Sequence, residues 1–112
     1  VDSEDVESDR YMLIGKTLFL AFTVKTITIA GTPNTAIQRT IPASFLPSIT
    51  GGSGQLLFPV FVSDSGTAQT GMALIRHGDP KIYITPTMDG GTNWSASSNN
   101  TRVSISIAFE IQ

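Results

Sequence analysis

Over residues 101–111 the odd positions Val103, Ile105, Ile107, Phe109 and Ile111 are large and apolar. The even positions Arg102, Ser104, Ser106, Ala108 and Glu110 are small or polar. Successive side chains of a strand point to opposite faces, so this alternation predicts a β-strand with one buried and one wet face. A helix would not put those five apolar residues on one side. A second long alternation covers residues 17–29, with Leu18, Leu20, Phe22 and Val24 apolar at even positions. Past Lys25 the phase changes, and Ile27 and Ile29 become the apolar ones. A slip of one residue turns every later side chain to the opposite face. A β-bulge, a kink or a passage between sheets is therefore expected near residues 24–26.

The remaining pattern is shorter and more broken. Residues 11–14 read as a short strand, followed by a turn at Gly15 and Lys16. Residues 31–34 read as a loop. Residues 36–41 make a third strand limited by Pro42, which cannot donate to a ladder. Residues 43–46 form at most one helical turn, closed by Pro47, and residues 48–54 are a Gly/Ser loop. Residues 55–62 are apolar on both faces, so they sit either in the middle of a sandwich or with a second face against another subunit. Pro59 within them argues for an edge or a bulge, and a doubly apolar edge is an aggregation hazard unless covered, so cover by a partner subunit is expected. Residues 63–70 read as a polar loop. Residues 71–77 and 81–85 form a hairpin around Gly78, Asp79 and Pro80, with Ile82 and Ile84 inward and Lys81, Tyr83 and Thr85 outward. Residues 86–100 are a long loop rich in Gly, Asn and Ser that carries the only tryptophan, Trp94. Six to seven strands with turn signals between them, no internal repeat and no convincing helix define an all-β class, an antiparallel β-sandwich or barrel.

A chain of 112 residues is one domain. At this length folding buries roughly two-thirds of the extended chain's surface, enough for one core that an oligomeric partner would help. The absence of cysteine excludes disulfides, thiolate nucleophiles and cysteine-based zinc sites. No apolar run is long enough for a membrane span, and no signal-peptide pattern is present. The chain begins at Val1 and reads as a piece of a longer protein.

The net charge of −2 hides a cluster: Asp2, Glu4, Asp5, Glu7 and Asp9 lie in the first nine residues. From Arg10 onward seven bases meet four acids, a formal +3. Residues 1–10 therefore read as an acidic linker or the end of a stalk, and residues 11–112 as the folded domain. The bases are dispersed, which argues against a nucleic-acid partner. A surface filled by Thr, Ser, Asn and Gly suits an extracellular or virion β-domain that bonds through neutral groups.

The candidate chemistry is sparse. His77 and Asp79, with abundant serine, invite a hydrolase reading, but no serine sits in a nucleophile-elbow frame; Ser53, within Gly51-Gly52-Ser53-Gly54, comes nearest and lacks it. The plainer reading is a hairpin turn in which Asp79 bonds its own backbone, and no enzyme is expected. No metal ligand set is legible: zinc would want several His or Cys, and calcium would require loops to gather Asp64, Asp79 and Asp89. No cofactor is expected. The segment 51–54 lacks the Lys-Ser/Thr of a phosphate loop. Asn93-Trp94-Ser95 and Asn99-Asn100-Thr101 match the glycosylation sequon, which chance readily supplies in so Asn- and Ser-rich a chain. What remains is a soft saccharide-binding signal. Trp94 offers a ring to stack on sugar, with Asp89, Asn93, Asn99 and Asn100 nearby, while His77, Asp79 and Tyr83 sit on or beside the hairpin. The alternative for Trp94 is a core or interface plug.

The segment Tyr11-Met-Leu-Ile-Gly-Lys-Thr-Leu-Phe-Leu-Ala-Phe-Thr-Val24, the proline-bracketed Ile41-Pro-Ala-Ser-Phe-Leu-Pro47 and the closing stretch from Trp94 through Asn99 to Ile111 carry a resemblance. Together they resemble the C-terminal head domains of tailed-phage tail-fibre and baseplate receptor-binding proteins, similar to lactococcal phage heads. The resemblance covers roughly residues 11–112. It implies an all-β homotrimeric head at the tip of a virion fibre or baseplate that binds host cell-surface polysaccharide for adsorption. It also implies other tail or baseplate proteins as neighbours through a preceding segment, and a pocket that a His, an Asp and a Trp can line. This chain offers His77, Asp79 and Trp94, at spacings that do not match them to particular family ligands. The alternative within the same apparatus is a trimerising or capping module with no ligand of its own.

Overall fold

The computed structural model describes residues 6–29, 36–50 and 54–112. The acidic residues 1–5, the loop expected at 31–34 and residues 51–53, Ser53 included, lie outside the described residues. The strands are β1 (Val6–Ile14), β2 (Thr17–Ile29), β3 (Ile37–Thr40), β4 (Gln55–Asp64), β5 (Thr67–Arg76), β6 (Lys81–Thr85) and β7 (Ser97–Glu110). All pair antiparallel, in the order β1-β2-β7-β4-β5-β6-β3, and the seven-stranded sheet curls into a half-barrel. One 3₁₀ turn, Pro42–Ser44, stands where the helical turn is expected.

The C-terminal strand lies inside this sheet. It pairs with β2 from Thr17↔Glu110 to Val24↔Val103, and with β4 only at Phe61, Val62 and Ser63. Its odd residues Val103, Ile105, Ile107 and Phe109 are buried against Leu18, Leu20, Phe22 and Val24 of β2, and against Val60, Val62, Ile75, Ile82 and Ile84 from the other strands. The phase change in β2 is a register shift at the expected place: the step from Val24 to Ile27 faces the shorter step from Val103 to Thr101. One extra residue on β2 is the geometry of a β-bulge.

Several boundaries differ from the sequence expectation. β1 starts at Val6, so residues 6–10 belong to the sheet rather than to a linker. β7 starts at Ser97, inside the loop expected to run to residue 100. Residues 63–70 are mostly strand. β4 and β5 are joined by a two-residue turn in which Ser65 and Gly66 both have positive φ, 50° and 86°. That left-handed pair matches the twist of a tight hairpin, and Ser-Gly signals it more weakly than Asn-Gly does. β4 is an interior strand between β7 and β5, not an edge. Pro59 is tolerated because β7 leaves β4 beyond Phe61, so at Pro59 only the β5 side is paired.

The proline-bracketed segment 42–47 closes the end of the half-barrel near the β7 terminus. Pro47 bridges Ile111, Ser48 N–H donates to Glu110 O at 2.9 Å, and Gly78 N–H donates to Pro47 O at 3.0 Å. The two sheet edges are joined by side chains instead of a ladder. Arg39 on β3 ion-pairs with Asp9 on β1 and lies 4.9 Å from the Phe22 ring centroid, while Tyr11 and Phe45 meet edge to face at 6.2 Å.

Candidate functional site

Trp94 is a core residue. Its side chain is 3% exposed, and the indole Nε1–H donates to Ile84 O at 3.2 Å. Neither face of the ring is free to stack on a sugar, so of the two readings of this residue the core plug is the one observed. Its neighbour holds it there: the buried Asp64 carboxylate accepts from Ser95 N–H at 3.0 and 3.2 Å and from the Ser95 hydroxyl at 3.0 Å. Asp64 ends β4 and thereby fixes the tryptophan loop just before the neighbouring strand β7. In the sequence it reads only as an isolated acid.

At the β5–β6 turn, Asp79 bonds its own backbone as expected, its Oδ1 accepting from Lys81 N–H at 3.1 Å. Its other oxygen accepts from the Tyr83 hydroxyl at 2.7 Å. Donation to Asp79 raises the Tyr83 pKa, aided by partial desolvation and the Asp79 charge and opposed by Arg76. The Arg76 guanidinium lies 4.9 Å from the Tyr83 ring centroid. Lys81 Nζ donates to Gln38 Oε1 at 3.3 Å. This is an exposed polar cluster already occupied by its own members.

His77 has a separate role. Its Nδ1 accepts from Ile49 N–H at 3.0 Å, and the Gln112 amide lies 3.3 Å from Nε2. It ties the stretch just after Pro47, and Gln112, to the hairpin. Both Asp79 oxygens are engaged by Tyr83 and Lys81, so Asp79 does not orient the His77 ring as a catalytic dyad would require.

Asp89 and Asn93 are exposed and stand beyond the other end of β6. Asp89 Oδ1 accepts from the Thr87 hydroxyl at 2.5 Å and from Gly91 N–H at 2.9 Å. These bonds, the hydroxyl's first, hold its carboxyl below the usual range. Five residues of β6, about 13 Å of strand, separate this loop from the hairpin turn. The six sequence candidates Trp94, His77, Asp79, Tyr83, Asp89 and Asn93 are thus not gathered into one pocket. Among the described residues no three carboxylates or histidines come together to hold a metal ion.

A concave feature among the described residues lies elsewhere. A groove of about 360 Å³ opens on the outer face of β1, β2 and β7, over Arg10, Met12, Phe19, Ala21 and Ser106. These residues alternate with the buried Leu20 and Ile107, which places them on the side away from the core. The register puts Met12 beside Phe19 and lines up Arg10, Ala21 and Ser106 across three strands. The small side chains of Ala21 and Ser106 make the floor, and Arg10, Met12 and Phe19 the walls. The signal for it is Phe19, a large aromatic on the otherwise small or polar face of β2. Around the groove and across β4 the same outer face exposes Ile14, Leu57 and Phe61. No helix among the described residues is long and apolar enough to cross a membrane. No protein-family model, curated protein or solved structure matches the chain.

Proposed function

We propose that this chain is a non-enzymatic receptor-binding head of a tailed-phage fibre or baseplate, a homotrimer that attaches the virion to host cell-surface saccharide. The observation that carries the reading is the outer face of the sheet. The core is filled from the inner face, yet Met12, Ile14, Phe19, Leu57 and Phe61 remain exposed on the outer face of the strands. Apolar side chains grouped on one face of a small domain mark an interaction surface. Leu57 and Phe61 of β4 supply the subunit contact, and the groove beside β1 is left for ligand. Light scattering of the purified chain is expected to report three copies, and Phe61→Asp to shift it to monomer. Host envelope polysaccharide is expected to be retained without release of fragments. A monomer at all concentrations that retains no envelope fraction overturns the proposal.

The second reading, a trimerising or capping module without ligand, draws on the burial of Trp94 and on the separation of the candidate sugar contacts along β6. A concentration-dependent trimer with no saccharide affinity supports it.

A further inference from the structure

We infer that the outer-face groove over β1, β2 and β7 is a binding site for an acidic pyranose, a sugar residue carrying a carboxylate. The inference rests on the saccharide-binding reading and names its site and ligand class. Three features of the groove bear on the ligand. Phe19 stands at the wall with 42% of its surface exposed, beside Met12 at 57%. An aromatic ring of this kind accepts the apolar C–H face of a pyranose, and Ala21 beneath leaves room for the ring to approach. Ser106 on the floor, exposed and in register with Ala21, presents a hydroxyl to the hydroxyl edge of the sugar.

Arg10 decides the charge. It is exposed and makes no ion pair or hydrogen bond among the described residues, whereas Arg39 is paired with Asp9 and Arg76 is stacked on Tyr83. A guanidinium beside an aromatic wall fits a carboxylate with two parallel hydrogen bonds. Among the described residues the acid on the same face, Glu110, stands four residues along β7 from Ser106, about 13 Å away by strand rise, and does not neutralise it. Arg102 lies equally far on the other side. The groove volume is at the lower end of small-molecule sites, roughly 300–1,000 Å³, which fits one or two sugar rings rather than a buried polymer.

The test is a titration of the intact chain with digalacturonate, and separately with neutral galactobiose, followed by amide chemical shifts. Digalacturonate is expected to move the resonances of Arg10, Met12, Phe19, Ala21 and Ser106, and galactobiose to do so much more weakly. Arg10→Gln is expected to weaken digalacturonate binding about ten-fold or more, the effect of losing a charged hydrogen-bond pair. Phe19→Leu is also expected to weaken it. Arg102→Gln, a like charge change outside the groove, is expected to leave it unchanged. Unaltered shifts outside the groove confirm that each variant is folded.

Equal responses to both sugars, or no effect of Arg10→Gln, overturn the acidic-sugar assignment. Groove shifts that follow dilution of the protein instead of added sugar assign the groove to a second copy and also overturn it. Retention of host envelope polysaccharide without groove shifts overturns this inference and leaves the receptor-binding reading standing. Retention of no saccharide at all overturns both.

Discussion

Replacing Trp94 separates a core residue from a ligand platform. A buried indole removes ~150–250 Å² from water, worth ~4–6 kcal/mol at ~25 cal/mol per Å². Alanine recovers part of that, so Trp94→Ala is expected to cost ~3–5 kcal/mol. The substitution also removes the buried indole hydrogen bond to Ile84 O at 3.2 Å, which places the cost toward the upper end. A domain of this length has a total stability of ~6–17 kcal/mol, so the variant loses a large fraction of it and still folds in the favourable case. Trp94→Phe keeps an aromatic filler but loses the N–H, and ~1–3 kcal/mol is expected. Urea denaturation followed by far-UV circular dichroism, at fixed protein concentration, measures both. Because the chain has one tryptophan, native fluorescence reports on this ring alone: a blue-shifted emission poorly quenched by acrylamide is expected. An emission at the solvent-exposed position, with Trp94→Ala costing under about 1 kcal/mol, refutes the core assignment and returns Trp94 to the surface.

Three further outcomes follow from the geometry. Asp64→Ala frees the backbone and hydroxyl of Ser95 and is expected to cost ~1–3 kcal/mol; in a double-mutant cycle with Ser95→Ala, denaturation midpoints that simply add contradict the coupling. Gly71→Ala places a Cβ 2.3 Å from Thr85 O and 3.0 Å from a Val62 methyl, so overpacking against backbone is expected to cost ~3 kcal/mol or more, and a soluble variant with wild-type stability would show that the β5–β6 approach is looser. The folded-state Tyr83 pKa lies above its unfolded value, so this group's contribution is fully present below about pH 10 and is lost as pH rises through the folded pKa. In a Tyr11→Phe background, Asp79→Asn is expected to lower the pH at which phenolate absorbance appears, and an unchanged titration rejects the Asp79–Tyr83 bond.

The alternation of apolar and polar residues was enough to define the all-β class, the long second and last strands and the phase break between Val24 and Ile27. Side-chain direction along a strand is a local property with period two, and so it can be read locally. Strand ends were less legible. Ser65 and Gly66 turn tightly only because the flanking residues pair, and residues 6–10 join the sheet because β2 offers them an edge. Both depend on long-range partners that a local window does not contain. The candidate site shows the same division. That Asp79 would bond its own backbone was legible because the contact spans two residues. For Trp94 the sequence left both a core plug and a sugar platform open, because the tether that decides it, Ser95 to Asp64, spans 31 residues. The groove was legible only in part: Phe19 stands out on the small or polar face of its strand, but Ser106 lies far along the chain and reaches Ala21 and Arg10 only through the β1-β2-β7 register. Period-two alternation fixes which residues of a strand share a face, whereas which faces meet depends on pairing between distant segments and emerges only in the folded sheet.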